Sequence, residues 1–417
     1  MDCGVRIDYN ILMLRLFNSY GKRLEPFRPV DKTKVSVFTC GPSVYQRSHI
    51  GNFRTFLFED ILVRYLEFSG YRVIRGMNFT DIEDKAIAEA KKRKTGVAEL
   101  TRANIRSFIG ETGLLRMKMP DYLPLASEHV DEMAEIIGRL VRDGHAYWFR
   151  GNVYFDPLTF PGFGKLYGLD MSSWPEKKRR FHQDTYPGVQ WNLGDFILWH
   201  GYRPGDPVFW ETRIGKGRPS WNIQDPAMVS RYFGETLSIY CGGIDNLYRH
   251  HDYSIAILES VRPYPMARFW LHGEHLTVGG RKMSKSRGNI YYTDTLMRQG
   301  YTAGEIRFFL LYGHYRERLS YTERSMAERA ALLRNARDSV GSLLGKAGKG
   351  PGEESPASRA LLRTFSRHMD NDLDVRAAFD GIHDELSGIR ADLLTGEKAA
   401  GIVASIKQID SVLQVLL

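Results

Sequence analysis

The 417-residue sequence predicts an α/β protein: a parallel sheet, an inserted β-rich segment and a helical C-terminal region. Three observations carry this reading. A buried strand, a tight turn, an amphipathic helix and a second strand follow one another between residues 35 and 76. Gly, Pro and Trp punctuate short strands from about 148 to 220. A helical apolar rhythm dominates from Glu305 onward.

"VSVFT" (35–39) reads as a short buried strand that runs into "CGPSVYQRSHIGN" (40–52), where Gly41-Pro42 marks a turn. From Asn52 to Ser69, Phe56, Leu57, Ile61, Leu62, Tyr65, Leu66 and Phe68 recur at helical spacing, and Gly70 is a natural stop. "YRVIRG" (71–76) is the next strand, and a βαβ unit of this kind requires a parallel sheet. Residues 80–117 are charged and helical, and their run "KKRK" (91–94) reads as a solvated face. "LASEHVDEMAEIIGRLVRDGHAY" (125–147) is an amphipathic helix closed by Gly144. Short strands such as "GNVYFDP" (151–157) and "DFILWH" (195–200) belong to the insert. "LSIYCGG" (237–243) and "RFWLHG" (268–273) are expected to rejoin the first sheet. The helical end is broken by the loop "GKAGKGPGEESPAS" (345–358).

Composition bounds the function. With 43% apolar and 26% charged residues the chain is an ordinary globular one, long enough for two or three domains. No apolar run approaches the roughly 18 residues of a membrane span. The start, "MDCGVRIDYNILMLRLF", has no apolar core behind a basic stretch, so no secretory signal is read, and Met13 is a second candidate start. Three cysteines (Cys3, Cys40, Cys241) make no disulfide framework and fit a reducing cytoplasm. The net charge of +9 suits a polyanionic partner, a nucleic acid or a phosphate-bearing cofactor.

Taken singly, "HIGN" (49–52) says little, and Cys40 alone reads as a small core residue. "GGRKMSKSRGN" (279–289) changes their weight. Its Lys282, Lys285, Arg281 and Arg287, spaced by small residues, suit a mobile clamp for phosphates whose charge changes during a reaction. Together the two motifs resemble the signature pair of class I aminoacyl-tRNA synthetases, and the chain is most similar to the cysteinyl-tRNA synthetase family. "FTCGPSVYQRSHIGNFRTFLFEDILVRYLEFSGYRVIRGMNFTDIEDKAI" resembles that family's first half, and "DFILWHGYRPGDPVFWETRIGKGRPSWNIQDPAM", "YCGGIDNLYRHH" and "EIRFFLLYGHYRERLSYTE" its later blocks. The likeness runs from about Met13 to the end.

The resemblance implies a Rossmann-type catalytic domain in two halves, 13–120 and 220–300. An inserted connective subdomain would span 121–219, and a helical stem and bundle 301–417. It implies ATP-dependent formation of an aminoacyl adenylate and transfer of the acyl group. His49 and Asn52 would stabilise attack of a carboxylate on the α-phosphate, with Gly51 beside them at the ATP. Lys282 and Lys285 would hold the pyrophosphate, Lys285 counting among the ATP contacts, and Gly243 and Asp245 would receive the ribose. These roles are electrostatic and positional. Mg²⁺ would accompany ATP without a dedicated protein cage.

Two departures matter. The family selects cysteine with a Zn²⁺ held by two cysteines, a histidine and a glutamate, because soft sulfur prefers zinc. Here Cys40 and His250 stand at two ligand positions, while "WNIQD" places Asp225 where the second cysteine belongs and Ser254 replaces the glutamate. Three readings stay open. Cys40, Asp225 and His250 hold a metal with an open position; or the metal is lost, leaving an amino-acid pocket of Cys40 and Asp225 walled by Trp221 and Tyr45; or Cys241 or His251 substitutes as a ligand. The second departure is at the end, where "NDLDVRAAF" (371–379) resembles the family's bundle but the chain stops at "SVLQVLL" (411–417). A shortened member without the anticodon-contacting domain is the expectation, with weak, anticodon-insensitive tRNA binding aided by the run "EKKRRFH" (176–182). The mycothiol ligases, a branch that joins cysteine to an amino sugar, share that shortening. The acceptor is therefore read as either the tRNA 3′ end or a small amine. A catalytically silent nucleic-acid-binding paralogue is the rival from another class, and the presence of His49, Asn52, Lys282 and Lys285 argues against it.

Overall fold

A computed structural model of the chain describes residues 13–171, 195–283 and 287–417. Cys3, the run at 176–182, Lys285 and the side chain of Lys282 lie outside the described residues.

The chain enters through an antiparallel hairpin, β1 (Arg15–Asn18) and β2 (Arg23–Pro26), that the periodicity does not reveal. β3 (Val35–Thr39) is buried at every residue and leads through α1 (Ile50–Phe68) to β4 (Val73–Met77). Helix α1 is covered on almost every side, and even Arg54, Glu59 and Asp60 are buried. Helices α2 (Asp84–Arg93), α3 (Val97–Leu114) and α4 (Val130–Arg142) follow, α4 burying Val130, Met133, Ile137 and Leu140 along one stripe.

The insert forms an antiparallel sheet in the order β5-β6-β7-β9-β8, made of β5 (Ala146–Phe149), β6 (Asn152–Phe155), β7 (Phe196–Gly201), β8 (Trp210–Thr212) and β9 (Gly215–Pro219). After α5 (Gln224–Tyr232), β10 (Leu237–Gly243) returns to the first sheet. A π-helical turn, Leu247–Asp252, runs into α6 (Tyr253–Glu259), which leads to β11 (Ala267–Gly273). The central sheet has the order β11-β10-β3-β4 and is parallel throughout. The fold is α/β. From β3 the chain moves to one side of the sheet and from β10 to the other, so these neighbours form the switch point beyond which α/β proteins bind their ligands.

β12 (Leu276–Val278) and β13 (Arg281–Lys282) form a small sheet with β14 (Leu319–Tyr321). Helices α7 (Thr293–Arg298) and α8 (Ala303–Leu311) precede β14, and α9 (Glu323–Lys346), α10 (Pro356–Met369), α11 (Val375–Gly388) and α12 (Gly396–Leu413) follow it. Strand β14 interrupts a stretch read from sequence as helical. Three residues are too few to show a period of two, and pairing with β12 decides their conformation. Arg307 of α8 is fully buried and joins the helical region to the sheet side: it donates to the Leu115 and Leu413 carbonyls and to the Asp60 carboxylate at 2.7 Å. Among the described residues no helix is long and apolar enough to cross a membrane.

Candidate active site

A cleft of about 730 Å³ opens beyond the carboxyl ends of β3 and β10. The turn that follows β3 answers to packing. Cys40 continues the ladder, its N–H donating to the Cys241 carbonyl at 3.0 Å. At Gly41 a Cβ would lie 1.6 Å from the Asn78 carbonyl oxygen, so only glycine fits, and its N–H donates to Asn78 Oδ1 at 2.9 Å.

The other end of the turn starts α1. His49 is the N-cap: its Nδ1 accepts from the Gly51 N–H at 3.1 Å, and its own N–H donates to Asn52 Oδ1 at 3.0 Å. This is a capping box built from the two polar residues of "HIGN". Asn52 spends its carbonyl oxygen on the cap and so presents an amide nitrogen, a donor, from an exposed position in the cleft wall. The positive dipole end of a 19-residue helix faces the same cleft, while the first N–H groups are taken up by His49 and the Tyr291 carbonyl. The second motif touches the first. The Ile50 N–H donates to the Tyr291 carbonyl at 3.0 Å, and Met283 packs so close that a Cβ on Gly51 would lie 2.6 Å from its Cε. Arg47 binds Glu111 at 2.7 Å and Asp294 at 3.0 Å, which holds the chain after "KMSKS" against the turn. Gly243 and Asp245 lie across the cleft at the end of β10, and Tyr45 and Trp221 line it as well.

The Cys40 end is a closed polar cluster. Asp225 is fully buried, with Oδ1 accepting from Asn78 Nδ2 at 2.9 Å and Oδ2 from the Tyr240 hydroxyl at 2.5 Å and His250 Nε2 at 2.9 Å. Burial alone would raise its carboxyl, but His250 and these donors hold it below the ordinary carboxylate value. Burial, reinforced by the Asp225 charge, pushes the Cys40 thiol well up. Trp221 stacks flat on the His250 ring, centroids 4.0 Å apart. Ser254 turns away from the pocket, donating to the His250 carbonyl at 2.8 Å. His251 Nδ1 meets His272 Nε2 at 2.8 Å, and His272 Nδ1 meets Ser19 Oγ at 2.7 Å. Burial, with His272 and His250 nearby, holds His251 well below the usual imidazole range.

One ligand atom each of Cys40, His250 and His251 lies within 4.8 Å of the others. His250 Nδ1 and His251 Nε2 are buried and have no hydrogen-bond partner among the described residues. A thiol and two imidazoles are donors that zinc accepts, so the residues fit such an ion. Asp225 sits behind His250 rather than in this trio, and Cys241 is buried in the sheet core outside it. The sequence reading missed Lys85 and Lys92, which line the cleft from α2, Lys92 within the run taken as solvated and Lys85 at the start of the same helix. Nothing in a charge run tells its inner face from its outer one.

Comparison with known proteins places the chain in a family and a fold. The model of the tRNA synthetases class I (C) catalytic domain matches residues 26–331. A cysteine–tRNA ligase from Chlamydia pneumoniae is 38% identical over 97% of this chain and 86% of that protein. Another from Metallosphaera sedula is 33% identical over 94% of this chain and 84% of that protein. Among solved structures, Agrobacterium radiobacter K84 LeuRS in a ternary complex with tRNA and LeuAMS aligns with TM-score 0.68 at 11% identity, over 94% of this chain and 85% of that one. Mycobacterium tuberculosis methionyl-tRNA synthetase bound by methionyl-adenylate aligns with TM-score 0.58 at 16% identity, over 91% and 90%. At such identities these structures show the fold alone.

Proposed function

Because the chain belongs to the cysteine–tRNA ligase family of class I aminoacyl-tRNA synthetases, we propose that its cleft binds ATP along the α1 N-terminus and an amino acid at the Cys40 end. The chain is a ligase: it activates an amino acid with ATP and transfers it to tRNA. In the first step a carboxylate oxygen of the amino acid attacks the α-phosphorus, and the bond to pyrophosphate breaks. In the second a ribose hydroxyl at the tRNA 3′ end attacks the acyl carbon, and AMP leaves. The substrate is cysteine by family, and neither the family model nor the relatives support a small-amine acceptor.

The observation that carries the site assignment is the capped α1 N-terminus opening on the switch-point cleft. There the Asn52 amide, His49 and the positive dipole end of α1 meet charge that develops on the phosphates, in positions fixed before the substrate arrives. Gly243 and Asp245 lie where the ribose would sit, and a side chain on Gly243 would crowd Asp245 Oδ1 at 2.8 Å. Lys282 and Lys285 are assigned to the pyrophosphate by their place in the motif. Mg²⁺ travels with ATP and is held chiefly by phosphate oxygens. A Zn²⁺ held at the Cys40 end would supply a soft centre that prefers the substrate's sulfur to an oxygen. Trp221, flat on His250, shapes that end and excludes water from it.

The test is ATP–pyrophosphate exchange with each of the twenty amino acids, followed by acylation of tRNA. Cysteine-dependent exchange with acylated tRNA is expected. Exchange with another amino acid would overturn the substrate, and exchange without acylation would overturn the acceptor.

A further inference from the structure

Where two of four family ligands have changed, the chain's own hydrogen bonds indicate which atoms are left for a metal. Both oxygens of Asp225 are engaged by Asn78, Tyr240 and His250. Ser254 is committed to a backbone carbonyl one turn back. Asp225, which also accepts from the Cys40 thiol, is thus taken up by four donors and stands outside the Cys40, His250 and His251 group, and Ser254 is turned to the main chain. Two imidazoles still offer an atom to the pocket. His250 donates through Nε2 to Asp225, which leaves Nδ1 without a partner. His251 is held through Nδ1 by His272, which leaves Nε2 without one. Both rings are 0% exposed, so water does not satisfy them from outside. Two buried ring nitrogens left over beside a buried thiol are rare in a folded protein and call for a ligand.

We propose that this chain binds its pocket zinc through Cys40, His250 and His251, and that Asp225 is a positioning residue behind His250 rather than a ligand. The proposal rests on the amino-acid pocket assigned above. The supporting hydrogen bonds have the form that metal-bound imidazoles use: the second ring nitrogen donates to a carboxylate or another acceptor, fixing tautomer and orientation. His250 donates to Asp225. His251 Nδ1 meets His272 Nε2, and His272 Nδ1 meets Ser19 Oγ after β1; with the proton of His251 on Nδ1, this relay runs from His251 through His272 to Ser19 and leaves Nε2 for the metal. Gly242 makes the room, since a Cβ there would lie 2.7 Å from His251 Cε1. The change of ligands also changes charge. Two thiolates and a carboxylate leave a divalent ion with one net negative charge, whereas one thiolate and two neutral imidazoles leave it with one positive. The remaining coordination then favours an anionic sulfur more strongly than the family's ligand set does.

X-ray absorption at the zinc edge of the zinc-loaded, wild-type protein tests this without turnover. One sulfur and two imidazoles are expected in the ligand shell. One imidazole with a carboxylate, or no zinc retained after dialysis against buffer, would overturn it. Zinc affinity measured by chelator competition supplies a second readout. His251→Ala should weaken binding by at least 100-fold, and Asp225→Asn by about 10- to 100-fold with stoichiometry kept at saturating zinc. Ser254→Ala should leave affinity unchanged. Unaltered affinity in His251→Ala would overturn the assignment, and if that variant does not fold the absorption spectrum of the wild type still decides. A zinc-loaded protein with the expected shell but no cysteine-dependent exchange would uphold the site and sink the functional reading instead.

Discussion

The two ends of the cleft are built by different means. At the nucleotide end the main chain supplies most of the chemistry: a helix N-terminus, glycines with no room to spare, and a capping box in which His49 and Asn52 serve the helix. At the amino-acid end, side chains from Cys40, Asn78, Asp225, Tyr240, His250 and His251 close on one another in a buried cluster. A backbone-built end tolerates few residue types, because Gly41 and Gly51 leave no room for a side chain and the cap fixes where His49 and Asn52 stand. A cluster of side chains can be rewired, provided every buried polar atom finds a new partner. That is where this chain departs from its family's pattern.

The largest expected effect separates function from stability at the nucleotide end. His49→Ala should lower ATP–pyrophosphate exchange by roughly 10²–10⁴-fold, as for loss of a transition-state contact. The lost cap should cost only about 1 kcal/mol in urea unfolding. A rate loss matched by a collapse of stability would erase the contrast. At the other end, Asp225→Ala leaves the buried Tyr240 hydroxyl and His250 Nε2 without an acceptor and Asn78 Nδ2 with only Thr80 Oγ1. It should cost about 3–5 kcal/mol of unfolding free energy, and Asp225→Asn clearly less. An Ala variant as stable as wild type would show that the cluster does not hold itself together.

Asp252 gives a smaller, pH-dependent effect. Burial raises its carboxyl to about 7, against the Leu166 and Tyr167 N–H groups that bind it. The folded state therefore holds this proton more tightly than the unfolded chain, whose carboxyl titrates near the usual 3.8. The contribution favours folding below about pH 4 and is lost as pH rises through 7, amounting to at most about 4 kcal/mol. Comparing urea midpoints of wild type and Asp252→Asn from pH 4 to 8 checks the sign: the difference should shrink or reverse in that direction. Ser254→Ala sets the lower bound, a change under about 1 kcal/mol, since it removes one hydrogen bond to a carbonyl already inside a helical turn.

The strand–turn–helix–strand unit was legible because its periods are local: Val35, Val37 and the apolar stripe of α1 announce themselves within 35 residues of sequence. Cys40 was legible as the end of a buried strand. His251 stood among the alternatives, but its claim rests on relations that no local pattern carries. His272 lies in a segment that reads as plain core strand, and Ser19 in a hairpin with no clear period. The partners of Asp225 are likewise scattered, Asn78 after β4 and Tyr240 within β10. Spacing along the chain identifies ligands only when they lie on one element. Here strands, turns and helix α5 converge, and their convergence is tertiary.

The neighbour relation between β3 and β10 also has a consequence in time. The Ser238 N–H donates to Ser36 Oγ across 202 residues of chain, and Val37 pairs with Ile239 beside it. At about 5–20 residues per second a ribosome needs on the order of 10–40 s to deliver the second strand after the first. Throughout that interval "VSVFT", apolar at three of five positions, can pair with β4 on one flank while the other stays an open edge, the kind of surface to which a second nascent chain can add a strand. Yield during synthesis should therefore depend on growth temperature and on chaperones that cover strand edges, well before the stability of the finished cleft comes into play.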